Sequence, residues 1–192
     1  MNRTTRGRLV VLGLFVMFLA PIVAAYWLNF ASGPGGGYGD TSRGELLNPT
    51  PELPAAGLHL PAMEKSSEDA APWLLMVVAG PEGCDARCDA ALTKAAQVRV
   101  GLGKNRDRAR RLLVVVSSES ASSVAPAPDL AVARATLEWA ATFTAVLPRA
   151  PARGDLFLVD PRRFIVLRFP SELEARLVLK DLERLLRISK IG

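Results

Sequence analysis

Histidine is almost absent from this sequence: its 192 residues contain one, His59, in a proline-rich stretch. With so little imidazole, acid–base hydrolase schemes lose their usual base. Metal sites that need converging nitrogen ligands lose them as well, and a lone histidine in such a segment reads as exposed and inert. Aromatic residues make up 6% of the chain and no basic block is interleaved with them, which argues against nucleic-acid binding. The glycines of "GPGGGYG" (33–39) follow no strand and precede no helix, so they read as a linker and not as a phosphate cradle. No catalytic carboxylate pair, Ser-His-Asp set or internal repeat is visible. Cysteine is scarce too, with two residues, Cys84 and Cys88, inside "PEGCDARCDA".

Charge is missing from one long stretch near the start. Arg3, Arg6 and Arg8 precede residues 9–28, "LVVLGLFVMFLAPIVAAYWL", which carry none. As a helix this run would span roughly 30 Å, the thickness of a bilayer core. That length favours an uncleaved anchor over a signal peptide. Tyr26 and Trp27 suit an interfacial belt, and membrane helices tolerate a proline such as Pro21. Arginines before the span and a nearly uncharged stretch after it predict a cytoplasmic N-terminus, with the remaining chain outside. In a bacterium that means the inner membrane and a periplasmic domain, where a disulfide persists. The net charge of +5 is spread over the tip and the helices and reads mainly as solvated faces, with a basic face near anionic headgroups as the alternative.

The chain therefore divides into a cytoplasmic tip (1–8), a transmembrane helix (9–28), a Gly/Pro-rich linker and extended segment lying along the domain (29–71), and a domain (72–192). Within the domain, "PWLLMVVAG" (72–80) and "LLVVVSS" (112–118) are continuous apolar strands. Residues 84–103 read as a helix stopped by Gly101 and Gly103, and residues 104–111 as a charged lead-in. Residues 129–147 read as a helix with Asp129 as N-cap. "GDLFLVDP" (154–161) and "RFIVLRFP" (163–170) predict a hairpin around Asp160-Pro161. Ser171 and Glu174 suggest a capping box for a last helix, with Leu173, Leu177, Leu182, Leu185 and Ile188 on its inner side. Strands joined by helices predict an α/β fold with a mixed central sheet covered on both faces, arranged as in a thioredoxin-like domain.

Cys84 and Cys88 fall after the first core strand, where such folds keep their chemistry. Three readings compete: a redox pair, a soft-metal clamp and a structural staple. One helical turn separates the two Cα atoms by about 6 Å, within disulfide reach. The closed loop is very small and stabilises little. A thiolate at Cys84 would gain from the helix N-terminus and from Arg87, and would be opposed by Glu82, Asp85 and Asp89. The same sulfurs suit Cu(I), with Met63 and Met76 as further soft donors, Met76 more as core packing.

"WLLMVVAGPEGCDARCDAAL", "GDLFLVDPRRFIVLRF", "GELLNPTPELP" and the C-terminal "LVLKDLERLLRISKIG" resemble the Sco/SenC family of cytochrome c oxidase assembly factors, in particular a divergent, short group of inner-membrane proteins. The resemblance covers nearly the whole chain, and its most specific element is the Cys-x-x-x-Cys in context. It implies a membrane-anchored thioredoxin-like domain, copper as the metal, and a cytochrome c oxidase subunit or copper-site assembly factor as partner. The family's copper-binding histidine, placed shortly before the late strand, has no counterpart in "LPRAPARGDLFLVD". What carries over is the pair itself. Cys84 would attack and Cys88 resolve in thiol–disulfide exchange, with Cu(I) binding by the same two sulfurs, or a scaffold held by a structural disulfide, as alternatives.

Overall fold

The computed structural model describes residues 3–31, 42–61, 71–116 and 127–189. The chain divides into two units, Met1–Thr41 and Ser42–Gly192.

In the first unit, helix α1 runs from Arg3 to Ala31 through Pro21. Its described side chains run without a break from residue 13 to residue 27, and every large apolar one among them is exposed. Among the described residues no helix is long and apolar enough to cross a membrane. The expected span, 9–28, extends past both ends of that run.

Among the described residues, the second unit is built on a seven-stranded mixed sheet in the order β1-β7-β6-β3-β4-β5-β2. The strands are β1 (Glu45–Leu46), β2 (Leu58–His59), β3 (Trp73–Ala79), β4 (Ala109–Val116), β5 (Leu130–Ala135), β6 (Leu156–Val159) and β7 (Ile165–Phe169). β3, β4 and β5 are parallel, and the remaining pairings are antiparallel. β3 is apolar throughout because both its faces are covered. Trp73, Leu75, Val77 and Ala79 enter one core, while Leu74 and Met76 enter the other. The first core is closed by α2 (Ala86–Gly101) and α4 (Ala175–Ile188); α3 (Leu137–Val146) and the loop residues Leu47 and Leu53 close the second. On this second face Trp139 stacks on Phe143, with ring centroids 5.0 Å apart.

The segment before the domain supplies both sheet edges. Glu45 pairs with Arg168, and Leu58 with Ala135, so the compact unit begins near Ser42 and not at residue 72. The hairpin at Asp160-Pro161 forms, and the Asp160 carboxylate accepts the backbone N–H of Arg162 and of Phe164 at 2.9 and 2.7 Å.

Three local expectations change. The expected helix over 129–147 divides at Thr136, giving β5 and a shorter α3. In β5, Ala133 and Ala135 point inward while Val132 and Arg134 are exposed, a period of two that fills the sheet position between β4 and β2. Thr136 is the N-cap of α3 and accepts from the Trp139 N–H. Asp129 is not a cap, because its carboxylate takes both arms of Arg111 at 2.7 Å. That pairing also lets β4 start at Ala109, inside the charged lead-in. The capping box of the last helix does not form: α4 begins at Ala175 with Glu174 making no cap bond, and the Ser171 hydroxyl donates to Glu172. The buried positions of α4 are Val178, Asp181, Leu182 and Leu186, whereas Ile188 is exposed.

Candidate functional site

The site sits where β3 ends and α2 begins. Gly80 to Gly83 make a tight turn, closed by the Gly83 N–H donating to Gly80 O at 2.9 Å. Gly83 takes φ +91° there, a conformation that favours glycine. Cys84 follows, and Asp85 is the N-cap of α2. The helix therefore starts two residues later than expected: Cys84 lies just outside it and Cys88 in its first turn. Cys84 and Cys88 are joined by a disulfide with Cα atoms 5.2 Å apart. Cys88 is buried at 3% exposure and packs in the core cluster, while Cys84 is half-buried at its margin. An incoming sulfur thus meets Cys84 first.

Asp85 joins the start of α2 to a distant loop. Its carboxylate accepts the Cys88 N–H at 2.9 Å and receives the Arg153 guanidinium at 3.0 Å. The Cys88 N–H, and after it Arg153, hold the Asp85 carboxyl below its ordinary range, and Asp85 in turn raises Arg153. Arg153 also reaches Glu82 at 3.7 Å, so one guanidinium ties together the residues on either side of Cys84. It also offsets much of the negative charge expected to oppose a Cys84 thiolate.

The loop carrying Arg153 is fixed from beneath. Asp155 and Arg168 form a buried ion pair, with Arg168 Nε donating to Asp155 Oδ2 at 2.7 Å. The same carboxylate oxygen accepts the Ala152 N–H at 2.8 Å, and Arg168 donates to the carbonyls of Ala150 (3.1 Å) and Arg149 (3.4 Å). Gly154, at φ +84°, lets this loop approach the cysteine turn; a Cβ there would lie 3.1 Å from Arg87 O. Beside the site a partly open, mainly apolar groove of about 220 Å³ runs between Pro81, Val116, Phe143, Ala152 and Phe157.

Arg153, Asp155 and Arg168 were not legible as site residues from sequence. The one signal was Arg168 interrupting the apolar run "FIVLRF", since a charge inside a buried strand needs a partner.

The donors do not fit a resident three-ligand copper centre. Both sulfurs are bonded to each other. His59 is exposed on β2, at the outer edge of the sheet and three strands from β3. Met76 is fully buried in β3, and Met63 lies outside the described residues. The loop before β6 sends the Arg153 cation to Asp85, the residue after Cys84. Among the described residues no three His, Cys, Asp or Glu converge on a point where a metal ion could be held.

Comparison with known proteins agrees with the architecture. The fold matches a solved structure of a Sco protein with copper bound. For Arabidopsis thaliana ScoI the TM-score is 0.50 at 12% identity, covering 62% of this chain and 85% of that one. For yeast Sco1 the values are 0.49, 11%, 62% and 81%, and for Bradyrhizobium japonicum ScoI 0.45, 16%, 60% and 85%. At 12% identity the likeness to the Arabidopsis protein is one of fold. No curated protein is significantly similar to the chain in sequence. The model of the family described as "Transmembrane-like, thioredoxin-like, C-terminal domain" matches residues 73–189. With its mixed sheet, its helices on both faces and its cysteine pair at the β3–α2 junction, the chain belongs to this thioredoxin-like family.

Proposed function

We propose that this protein is a membrane-anchored thiol–disulfide exchange protein that acts on cysteines of a respiratory oxidase copper site, with its domain on the periplasmic side. The observation that carries the redox reading is the unequal burial of the two sulfurs: Cys84 is half-buried at the surface and Cys88 lies behind it in the core. In the reduced protein the Cys84 thiolate attacks a partner disulfide. The partner S–S bond breaks, a mixed disulfide forms, and one partner thiolate leaves. Cys88, deprotonated, then attacks the Cys84 sulfur and releases the second partner thiol. The Cys84–Cys88 disulfide re-forms and two electrons have passed to the partner; an external dithiol reductant resets the pair. The groove beside Pro81 offers an apolar seat for the partner segment next to its cysteines. Anchoring is supported by α1, whose ten large apolar side chains between residues 14 and 27 are all exposed, a cost in water that lipid removes.

Copper enters this reading as cargo of the partner site. A Cu(I) contact needs the reduced pair, beside which no third His, Cys, Asp or Glu converges among the described residues.

The test is to replace Cys88 by Ser. The variant should accumulate a mixed disulfide through Cys84 with a peptide carrying an oxidised oxidase-type cysteine pair. Absence of that adduct, together with a Cys84–Cys88 potential below about −300 mV, would mark a structural bond and overturn the exchange reading.

A further inference from the structure

The charge around Cys84 is unfavourable to a thiolate on its own element. Glu82 stands two residues before the cysteine, Asp85 one residue after it, and Asp89 follows in the first turn of α2. Asp85 also caps α2 by accepting the Cys88 N–H at 2.9 Å, and so occupies an N–H of the helix end that an anionic sulfur would otherwise draw on. The cation on the same element is Arg87, and both it and Lys94 bear on Glu172 of the loop before α4. Lys94 donates to Ser171 O at 2.6 Å. Asp155 is held in its buried pair with Arg168.

The loop before β6 brings the compensating charge. Arg153 Nη1 lies 3.0 Å from Asp85 Oδ2 and Nη2 lies 3.7 Å from Glu82 Oε2. One guanidinium thus takes a carboxylate on each side of Cys84 in the sequence. Stability is a poor explanation for this contact, because Arg153 is 58% exposed and Glu82 is 81% exposed, and exposed ion pairs contribute little. Yet the loop is placed with care. The Asp155–Arg168 pair anchors it from beneath, and Gly154 lets it come against Arg87 O, where a Cβ would lie 3.1 Å away.

We propose that Arg153 is the positioning residue of the exchange reaction: by holding Glu82 and Asp85 it relieves Cys84 of the negative charge on either side and keeps that sulfur reactive at neutral pH. The inference rests on the exchange reading above and adds the cation that governs its nucleophile. Arg153 acts through the two carboxylates and does not itself take or give a proton.

The test is the rate at which the reduced full chain, in neutral detergent, is oxidised by hydroxyethyl disulfide, a small uncharged probe, from about pH 6 to about pH 10. Removing an exposed cation should lower the Cys84 thiolate fraction at pH 7 about tenfold, the low end of what a neighbouring opposite charge does. A less acidic thiol is a better nucleophile once ionised, by about threefold for that change. Arg153→Gln should therefore react about threefold more slowly than the native chain at pH 7 and roughly twofold faster near pH 10, so that the two profiles cross. Arg153→Lys keeps the charge and should follow the native profile through neutral pH. Asp85→Asn keeps a capping residue and, added to Arg153→Gln, should bring the profile back toward the native one. Coincident native and Arg153→Gln profiles overturn the inference. A variant that reacts faster at every pH overturns it too, since a prop that only shields the turn would behave that way. The probe needs no partner protein, so failure to trap the Cys88→Ser adduct would remove the exchange reading while a crossing of the profiles still established the hold of Arg153 on Cys84.

Discussion

Replacing Arg168 by Met should be the most costly single change near the site. The Arg168 and Asp155 side chains are 5% and 2% exposed, so neither charge has water to fall back on. Without the guanidinium, the Asp155 carboxylate keeps the Ala152 N–H alone among its described hydrogen-bond donors, and the carbonyls of Arg149 and Ala150 lose a donor. Breaking a buried pair from one side costs about 3–5 kcal/mol. With a urea slope near 2 kcal/mol/M, the unfolding midpoint should fall by about 2 M. The assay is urea unfolding of the full chain in neutral detergent, followed by near-ultraviolet circular dichroism. Replacing Asp155 by Leu in the same chain removes the stranded charge and should recover part of the loss, so the double-mutant cycle should show a large coupling. Because the pair anchors the loop bearing Arg153, the single variant should also expose the disulfide to faster reduction by a small dithiol. A single-variant cost below about 1 kcal/mol, with additive behaviour in the cycle, would refute the claim that this pair holds the loop.

Thr136→Ala should cost about 1 kcal/mol by removing the α3 cap, and Thr136→Ser should restore it. Gly154→Ala should destabilise by more than about 1 kcal/mol, since φ +84° and the Arg87 carbonyl both oppose a Cβ; thermal unfolding reads both variants. The Asp85 carboxyl titrates below its ordinary value of 3.8 in the fold, so its contribution to stability is complete above 3.8 and is lost as pH falls through the lowered value. Urea unfolding measured between pH 5 and pH 2 should show this loss, and Asp85→Asn should flatten it. Together with the Cys88→Ser trapping, these measurements separate the fold of the site from its chemistry.

Where elements are fully buried, composition alone identified them. "WLLMVVA" and "LLVVV" are read correctly as central strands because a strand with one face in water alternates apolar and polar residues, whereas these short runs do not. The Asp160-Pro161 hairpin was legible because its turn chemistry is local. "LAVARATLEWAATF" was not, because alanine-rich sequence suits a helix equally well and only an empty position beside β4 made its first half a strand. β1 and β2 were hidden for a related reason: two-residue strands have no period to read.

By itself, the sequence determined that two cysteines four positions apart stand at the end of the first core strand, that the one imidazole, His59, lies far along the chain from them, and that a long uncharged run precedes the domain. These are matters of composition and short-range spacing. The tertiary structure alone decided that Cys88 is the buried sulfur, that Arg153 closes over Asp85 from 68 residues away, that Asp155 and Arg168 hold its loop, and that Asp181 of α4 accepts the backbone N–H groups of Arg43 and Gly44, 138 and 137 residues earlier. Such partners are set by which strands lie side by side, and a charge in a sequence carries no mark of the opposite charge that folding brings to it.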